Sequence, residues 1–325
     1  MPLEVWHQLL GRPVLVPLYH IVSDQPVIHV RHLYRYRNVA EFTAELHYLL
    51  RHYAPVGLET LVEVAAGRYN LRRPSFHLTF DDGFREVHEV IAPILVREGV
   101  PASIFIATSF LDGAGLTHHN RISVLVESLA RGVSPRSRDA VAQLLGPDLR
   151  GLSLEKRLLA TPYSEAELLN RIAAVVEVDF SEYIRTTRPH LTCDELMDLV
   201  KQGFDIGAHS CDHLLYADLP PEEQWRQTIE SVAFVSSRFG SKIRSFAFPH
   251  NDERIGPAFF ERVFSEGHLD ITFGTNGLRR HFHPRNLERV VMEVEGFTPS
   301  AIIHKAYADS LFPSPSAPAK PNRST

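Results

Sequence analysis

Two adjacent carboxylates, Asp81 and Asp82, close the stretch Phe76-His77-Leu78-Thr79-Phe80 and are followed by Gly83. The preceding residues have the character of a buried strand. A strand that ends in paired acids carries an electrostatic difficulty: neighbouring carboxylates repel, and burial penalises the charge on both. A bound cation resolves it by taking one acid as a ligand and leaving the other as a base. Gly83 permits a sharp turn with no Cβ in the way, and residues 84–99 then read as a helix with Val87, Ile91, Ile94 and Leu95 on one face. Taken alone, Asp-Asp-Gly suits a solvated turn equally well, so its chemistry depends on partners elsewhere in the chain.

Two further stretches supply candidates. In Gly207-Ala208-His209-Ser210-Cys211-Asp212-His213, two histidines four residues apart follow a short strand. On a helical turn or a tight loop such a pair can aim both imidazoles at one point, and imidazole suits zinc, cobalt, nickel or iron. Two histidines on one exposed helix turn would show the same spacing; the strand before them and the Asp-Asp strand end favour the ligand reading. Two histidines and one carboxylate make a three-ligand site with open positions, the arrangement of a catalytic metal. In Ser245-Phe246-Ala247-Phe248-Pro249-His250-Asn251, a strand stopped by proline presents the backbone N–H of His250, a candidate oxyanion donor.

The elements that must hold these groups alternate. Strands are predicted at 13–20, 76–80, 101–107, 205–208, 243–248, 270–273 and 287–294, and helices at 39–53, 58–66, 84–99, 222–239 and 298–312. This rhythm implies a parallel sheet with βαβ crossovers. About seven strands suggest an α/β fold, a distorted (β/α) barrel, whose chemistry sits at the C-terminal ends of its strands. Residues 110–190 break the rhythm: helices are predicted at 122–130, 154–160 and 165–176, the last from a capping-box pattern at Ser164-Glu165-Ala166-Glu167, so the region reads as a helical insertion. The expected organisation is one domain over 1–312 and a disordered tail over 313–325, where four prolines occur.

The three motifs, in order and in kind, resemble the NodB-homology polysaccharide deacetylases of carbohydrate esterase family 4, over residues 13–108 and 189–296. Pro17-Leu18-Tyr19-His20 also looks like the N-terminal part of many such proteins. The resemblance implies that Asp82, His209 and His213 hold a divalent metal, zinc first, with cobalt or nickel as alternatives. It implies that Asp81 is the general base toward water, whose pKa falls to ~7–9 at a zinc-like ion. Ser210 would fix the loop of the second motif, and the His250 N–H would stabilise the oxyanion. The implied reaction removes N-acetyl groups from amino sugars in a polysaccharide or a glycan precursor. The chain departs from the family at the position of the arginine that orients the base, where Ala247 stands, a substitution shared by part of the family. Arg289, on the late strand, is the candidate replacement. The general acid is open among His283, the pair His118-His119 and His304 of Ile302-Ile303-His304.

Composition bounds the alternatives. The chain has 325 residues, 44% hydrophobic and 22% charged, with a formal net charge of −5, which argues against nucleic acid as a partner. Cys193 and Cys211 give no disulfide framework. No apolar run approaches the ~20 residues of a membrane span, and the first twelve residues lack the pattern of an export signal, so a cytoplasmic location is expected. Two other functions remain: a deformylase or small-amide hydrolase using the same site, and a non-catalytic glycan-binding subunit. An intact metal site opposes the second.

Overall fold

The computed structural model describes residues 3–10, 14–147 and 151–311. The expected tail at 313–325 lies outside the described residues. These fall into two compact units, one of 3–24, 36–112 and 190–311, the other of 25–35 and 113–189.

The first unit is built on parallel strands: β1 (Pro17–Tyr19), β2 (Leu78–Phe80), β3 (Ala102–Ile106), β4 (Asp205–Ala208), β5 (Ser245–Ala247), β6 (Ile271–Gly274), β7 (Asn286–Glu288) and β8 (Val290–Val291). Their order across the sheet is β7-β6-β5-β4-β3-β2-β1-β8. β7 and β8 are halves of one run on either side of Arg289; the first half pairs with β6 and the second with β1. That run joins the two edges of the sheet into a nearly closed barrel. Counted as one stave, it leaves seven, the number the strand rhythm implied. Because all strands run the same way, the turns after β2, β4 and β5 open on one face.

Two predicted strands are each interrupted once. The strand expected at 13–20 divides into Val14–Leu15 and β1, and the one expected at 76–80 into Ser75–Phe76, which starts one residue earlier, and β2. The outer pieces pair with each other and with Ala54–Pro55 in a separate three-stranded sheet. His77 marks one break. Its buried ring bonds Val56 O and Ser103 Oγ, both at 2.8 Å, and burial lowers its pKa to about 4. Both ring nitrogens are satisfied, so this histidine belongs to the core.

The helices follow their sequence signals where capping is local. Asn38 closes a full capping box on Val39–His52, and Thr192 does the same on Cys193–Lys201. Phe42, Leu46 and Leu49 are buried from the first of these, each side chain contributing roughly 1.5–3 kcal/mol on burial. The predicted helix 84–99 forms only in part: a π-turn at Val87–Ile91 precedes the α-helix Ala92–Glu98. Pro93, which lacks an N–H and so cannot donate back into the preceding turn, accounts for the irregular start.

Among its described residues the second unit's regular elements are all helices, His118–Arg131, Pro135–Leu144, Leu154–Leu159, Ala166–Val175 and Phe180–Thr187, joined by turns and irregular chain. Ile122, Leu125, Leu129, Leu158, Leu169 and Ile172 form its own core. The Ser164 capping box does not form; a 3-10 turn at Tyr163–Glu165 leads into Ala166–Val175, which has no side-chain cap. Among the described residues no helix is long and apolar enough to cross a membrane.

Candidate functional site

Asp81 and Asp82 leave the end of β2, both buried. Asp82 and Gly83 are both left-handed, with φ of 70° and 68°. Gly83 is required twice over: its φ suits glycine, and a Cβ there would lie 2.9 Å from Ile106 Cγ2. The turn sends the two carboxylates to different nearest partners, while His209 Nε2 lies 3.6 Å from an oxygen of each. Arg289, itself fully buried, meets Asp81 bidentately, with Nη1–Oδ1 at 2.6 Å and Nη2–Oδ2 at 2.8 Å, while its Nε donates to Gly274 O at 3.0 Å. Burial pushes the Asp81 carboxyl up, but Arg289 foremost, together with His209 and His20, holds the group below the usual range.

Asp82 turns instead toward the second motif. Its Oδ1 lies 2.9 Å from His213 Nε2 and 3.6 Å from His209 Nε2. Burial opposes its charge, but His213 foremost, together with His20 and His209, holds the carboxyl well below the ordinary range. His209, buried after β4, donates from Nδ1 to Ala247 O at 2.8 Å, which fixes its tautomer and aims the Nε2 lone pair at the acids. Burial, ahead of the charges around it, lowers its pKa to about 4, so the ring is neutral near pH 7, as a ligand must be.

Ser210 Oγ accepts the His213 N–H at 2.9 Å, the loop-fixing bond expected of it. The rest of this loop is fastened by Gln227, whose Oε1 accepts the N–H groups of Cys211 and Asp212, both at 3.0 Å. Gln227 carried no motif signal; it lies on the long helix Pro221–Phe239, fully buried. His250 follows β5 with φ 61°, and its ring packs edge-on against His213, centroids 4.7 Å apart. Of the eight non-glycine residues with positive φ among the described residues, Asp82, Ser210, His213 and His250 are four. Left-handed backbone costs such residues free energy and collects at functional sites.

Asp82, His209 and His213 each offer one ligand atom, all within 4.8 Å of one another. The residues fit a cation. Asp82 Oδ1 is buried and meets no hydrogen-bond donor in bonding geometry among the described residues, although a histidine nitrogen faces it at close range. A second cluster, Asp252, His281 and Glu288, differs in this respect. Its carboxylate oxygens already accept from the amides of Asn286 and Asn276 and from the Asn276 backbone.

The structure also places the remaining candidates. His283 does not join the acids: it stacks on Phe264 at 4.3 Å and accepts the Arg285 N–H, at the start of β7 and so at the opposite end of the barrel from Asp81. His304 bonds back to Ser300 O within its own helix, and His118 bonds Thr161 O within the helical unit. Sequence reasoning missed His20 and Glu293. His20, at the end of β1, meets Glu293 Oε2 through Nδ1 at 2.5 Å. Burial opposes protonation of this ring, but Glu293, aided by Asp82 and Asp81, raises its pKa to about 9. Its position at a strand's C-terminal end was the one available signal; nothing local points to Glu293.

The molecule is a nearly closed parallel barrel with a candidate metal site of carboxylate and imidazoles at its strand ends, and comparison narrows that class. A family model described as polysaccharide deacetylase matches residues 169–254, a window that holds the second and third motifs. Three solved structures share the fold. The Streptococcus pyogenes deacetylase PplD, solved in complex with acetate, has a TM-score of 0.56 at 12% identity, over 90% of this chain and 96% of that one. IcaB from Ammonifex degensii has a TM-score of 0.55 at 17% identity, over 91% and 98%. A de-N-acetylase from Aggregatibacter actinomycetemcomitans has a TM-score of 0.51 at 14% identity, over 90% and 99%. No curated protein matches the chain. Over residues 169–254 the chain is similar to the polysaccharide deacetylases, and its fold is the one those solved deacetylase structures share.

Proposed function

We propose that the protein is a metal-dependent deacetylase that removes N-acetyl groups from amino sugars in a polysaccharide or glycan precursor. The observation that carries this reading is the division of labour between the paired acids: Arg289 holds Asp81, while Asp82 faces two histidines. Asp82, His209 and His213 would hold the divalent cation, and their N₂O donor set suits zinc, cobalt or nickel. When bound, the cation polarises the acetamide carbonyl and makes water more acidic.

The chain's own groups do the rest. Asp81 accepts a proton from the attacking water; each of its oxygens keeps a lone pair beyond its bond to Arg289. Arg289 orients that carboxylate and keeps it anionic, in place of the arginine absent at Ala247. The His250 backbone N–H stabilises charge on the carbonyl oxygen. His20, kept protonated by Glu293, gives its proton to the departing amine as the C–N bond breaks. Acetate and a free amino sugar result.

The test is the divalent-metal content of the purified chain beside Asp82→Ala and His209→Ala, with acetate release from N-acetylglucosamine oligomers. About one metal per wild-type chain, lost in both variants together with acetate release, is expected. A wild-type chain that takes up no zinc, cobalt or nickel would refute the proposal.

A further inference from the structure

Behind the His20–Glu293 pair lies a buried polar cluster, joined to the acids through the backbone, where Tyr19 O accepts the Asp81 N–H at 3.0 Å. Glu293 accepts three hydrogen bonds: Oε1 takes the N–H groups of His20 and Ile21 at 3.1 and 3.2 Å, and Oε2 takes the His20 ring. Its carboxylate therefore has to be presented at a fixed angle by a backbone that is not in a strand. The residue holding that backbone is Arg37. Its Nη2 donates to the carbonyls on both sides of Glu293, Met292 O at 2.5 Å and Val294 O at 3.4 Å. Its Nε donates to Glu45 Oε1 at 2.7 Å, and Glu45 Oε2 accepts from the Tyr19 hydroxyl, also at 2.7 Å. Tyr19 immediately precedes His20. The Arg37 backbone reaches the other side of His20: Arg37 bridges to Val22, and its carbonyl accepts the Ser23 N–H at 3.0 Å.

Arg37, Glu45 and Tyr19 are buried to 3%, 4% and 0% exposure. Burying a guanidinium and a carboxylate sacrifices their hydration, and well-packed apolar residues hold a core at least as well. What apolar residues cannot supply is a planar fork that fixes two carbonyls and a carboxylate at once. We infer that Arg37, through Glu45 and Tyr19, is a positioning residue that sets the angle of the His20–Glu293 pair for proton delivery to the leaving amine. The inference rests on the reading of His20 as proton donor. Arg37 itself touches no reacting atom.

Leaving-group chemistry tests it. Expulsion of a sugar amine from an amide needs a proton, whereas 4-nitrophenolate leaves an ester without one. Hydrolysis of an N-acetylglucosamine pentamer and of 4-nitrophenyl acetate is compared for the wild type, His20→Gln, Arg37→Met and Arg37→Lys, with melting temperature and metal content measured alongside. His20→Gln is expected to lose about 10²-fold or more on the amide and to keep ester turnover within about threefold. Arg37→Met is expected to show the same selectivity with a smaller loss, about 10-fold or more. Arg37→Lys, which keeps charge without the fork, should fall between it and the wild type; it is the variant to read if Arg37→Met does not fold. Should His20→Gln lose both activities equally or neither, the proton-donor reading fails and the inference with it. Should His20→Gln be selective while the folded Arg37 variants lower both activities in parallel, or neither, the proton-donor reading survives and the role of Arg37 is refuted.

Discussion

Arg289 and Asp81 are 208 residues apart in sequence and joined by two hydrogen bonds at full burial, so their coupling measures both the site and the closure of the barrel. Replacing Arg289 with Met keeps the bulk and removes the charge. Asp81 is then a buried carboxylate without its main counter-ion, and breaking such a pair from one side costs roughly 3–5 kcal/mol. The protein can reduce that cost only by protonating Asp81. Burial raises this carboxyl and Arg289 is the largest influence lowering it, so its removal moves the pKa upward. Every tenfold change in that ionisation equilibrium corresponds to about 1.4 kcal/mol. A protonated Asp81 is not a base, so the acid limb of kcat/KM against pH should move to higher pH in Arg289→Met. The decisive assay is a double-mutant cycle of urea unfolding on metal-stripped protein at pH 7, using Arg289→Met, Asp81→Asn and the pair. Each single variant orphans a buried charge, Asp81 in one and Arg289 in the other, whereas the pair leaves neither, so the double variant should be more stable than the sum of the singles predicts, by about 2–3 kcal/mol. A coupling below about 0.5 kcal/mol, or full turnover of Arg289→Met across the acid limb, would overturn the assignment.

Two further outcomes follow from the same unit. Burial, followed by the nearby Asp252 charge, raises Glu288 to about 8, whereas an unfolded glutamate titrates near 4.3. The folded state therefore keeps a proton that the unfolded state has lost, and stability should fall as pH rises through the window from about 4.3 to about 8, by at most ~1.4 kcal/mol for each step of one in pH. Glu288→Gln keeps a neutral side chain and should flatten that slope in urea midpoints from pH 5 to 8.5; parallel curves would show that Glu288 does not hold the proton. Gly207 sits in β4 where a Cβ would come within 2.4 Å of the Phe105 ring and 2.5 Å of Ser245 Oγ. Gly207→Ala should cost about 1–3 kcal/mol by overpacking and, because His209 is two residues on, weaken metal uptake; an unchanged melting temperature and metal content would mean that β4 shifts freely.

Much of this molecule was legible before folding. The capping boxes found at Asn38 and Thr192, the glycine after the helix that ends at 239, and the apolar runs before Asp81 and His209 are all local features. Each can be read from the chain alone, because the interactions span only a few residues. The helix expected at 84–99 and the cap expected at Ser164 fail for local reasons too: Pro93 withholds an N–H, and a 3-10 turn supplants the cap. The strand rhythm was enough to place Asp81, Asp82, His209, His213 and His250 on one face of a parallel barrel, since parallel strands put all their C-terminal ends together.

What lies across the barrel seam could not be read that way. Arg289 was named for its position on a late strand, but its bidentate grip on Asp81 exists only because one run of chain pairs with β6 on one side and β1 on the other. His20 and Glu293 stand 273 residues apart and meet through the same closure, and Arg37 joins them through carbonyls that carry no side-chain signal at all. The sequence by itself determined which residue types end each strand and which segments are strands or helices, because those choices depend on neighbours a few positions away. Which buried charge faces which was decided by tertiary structure alone, since electrostatic pairing in a low-dielectric interior depends on distances that only the closed barrel sets.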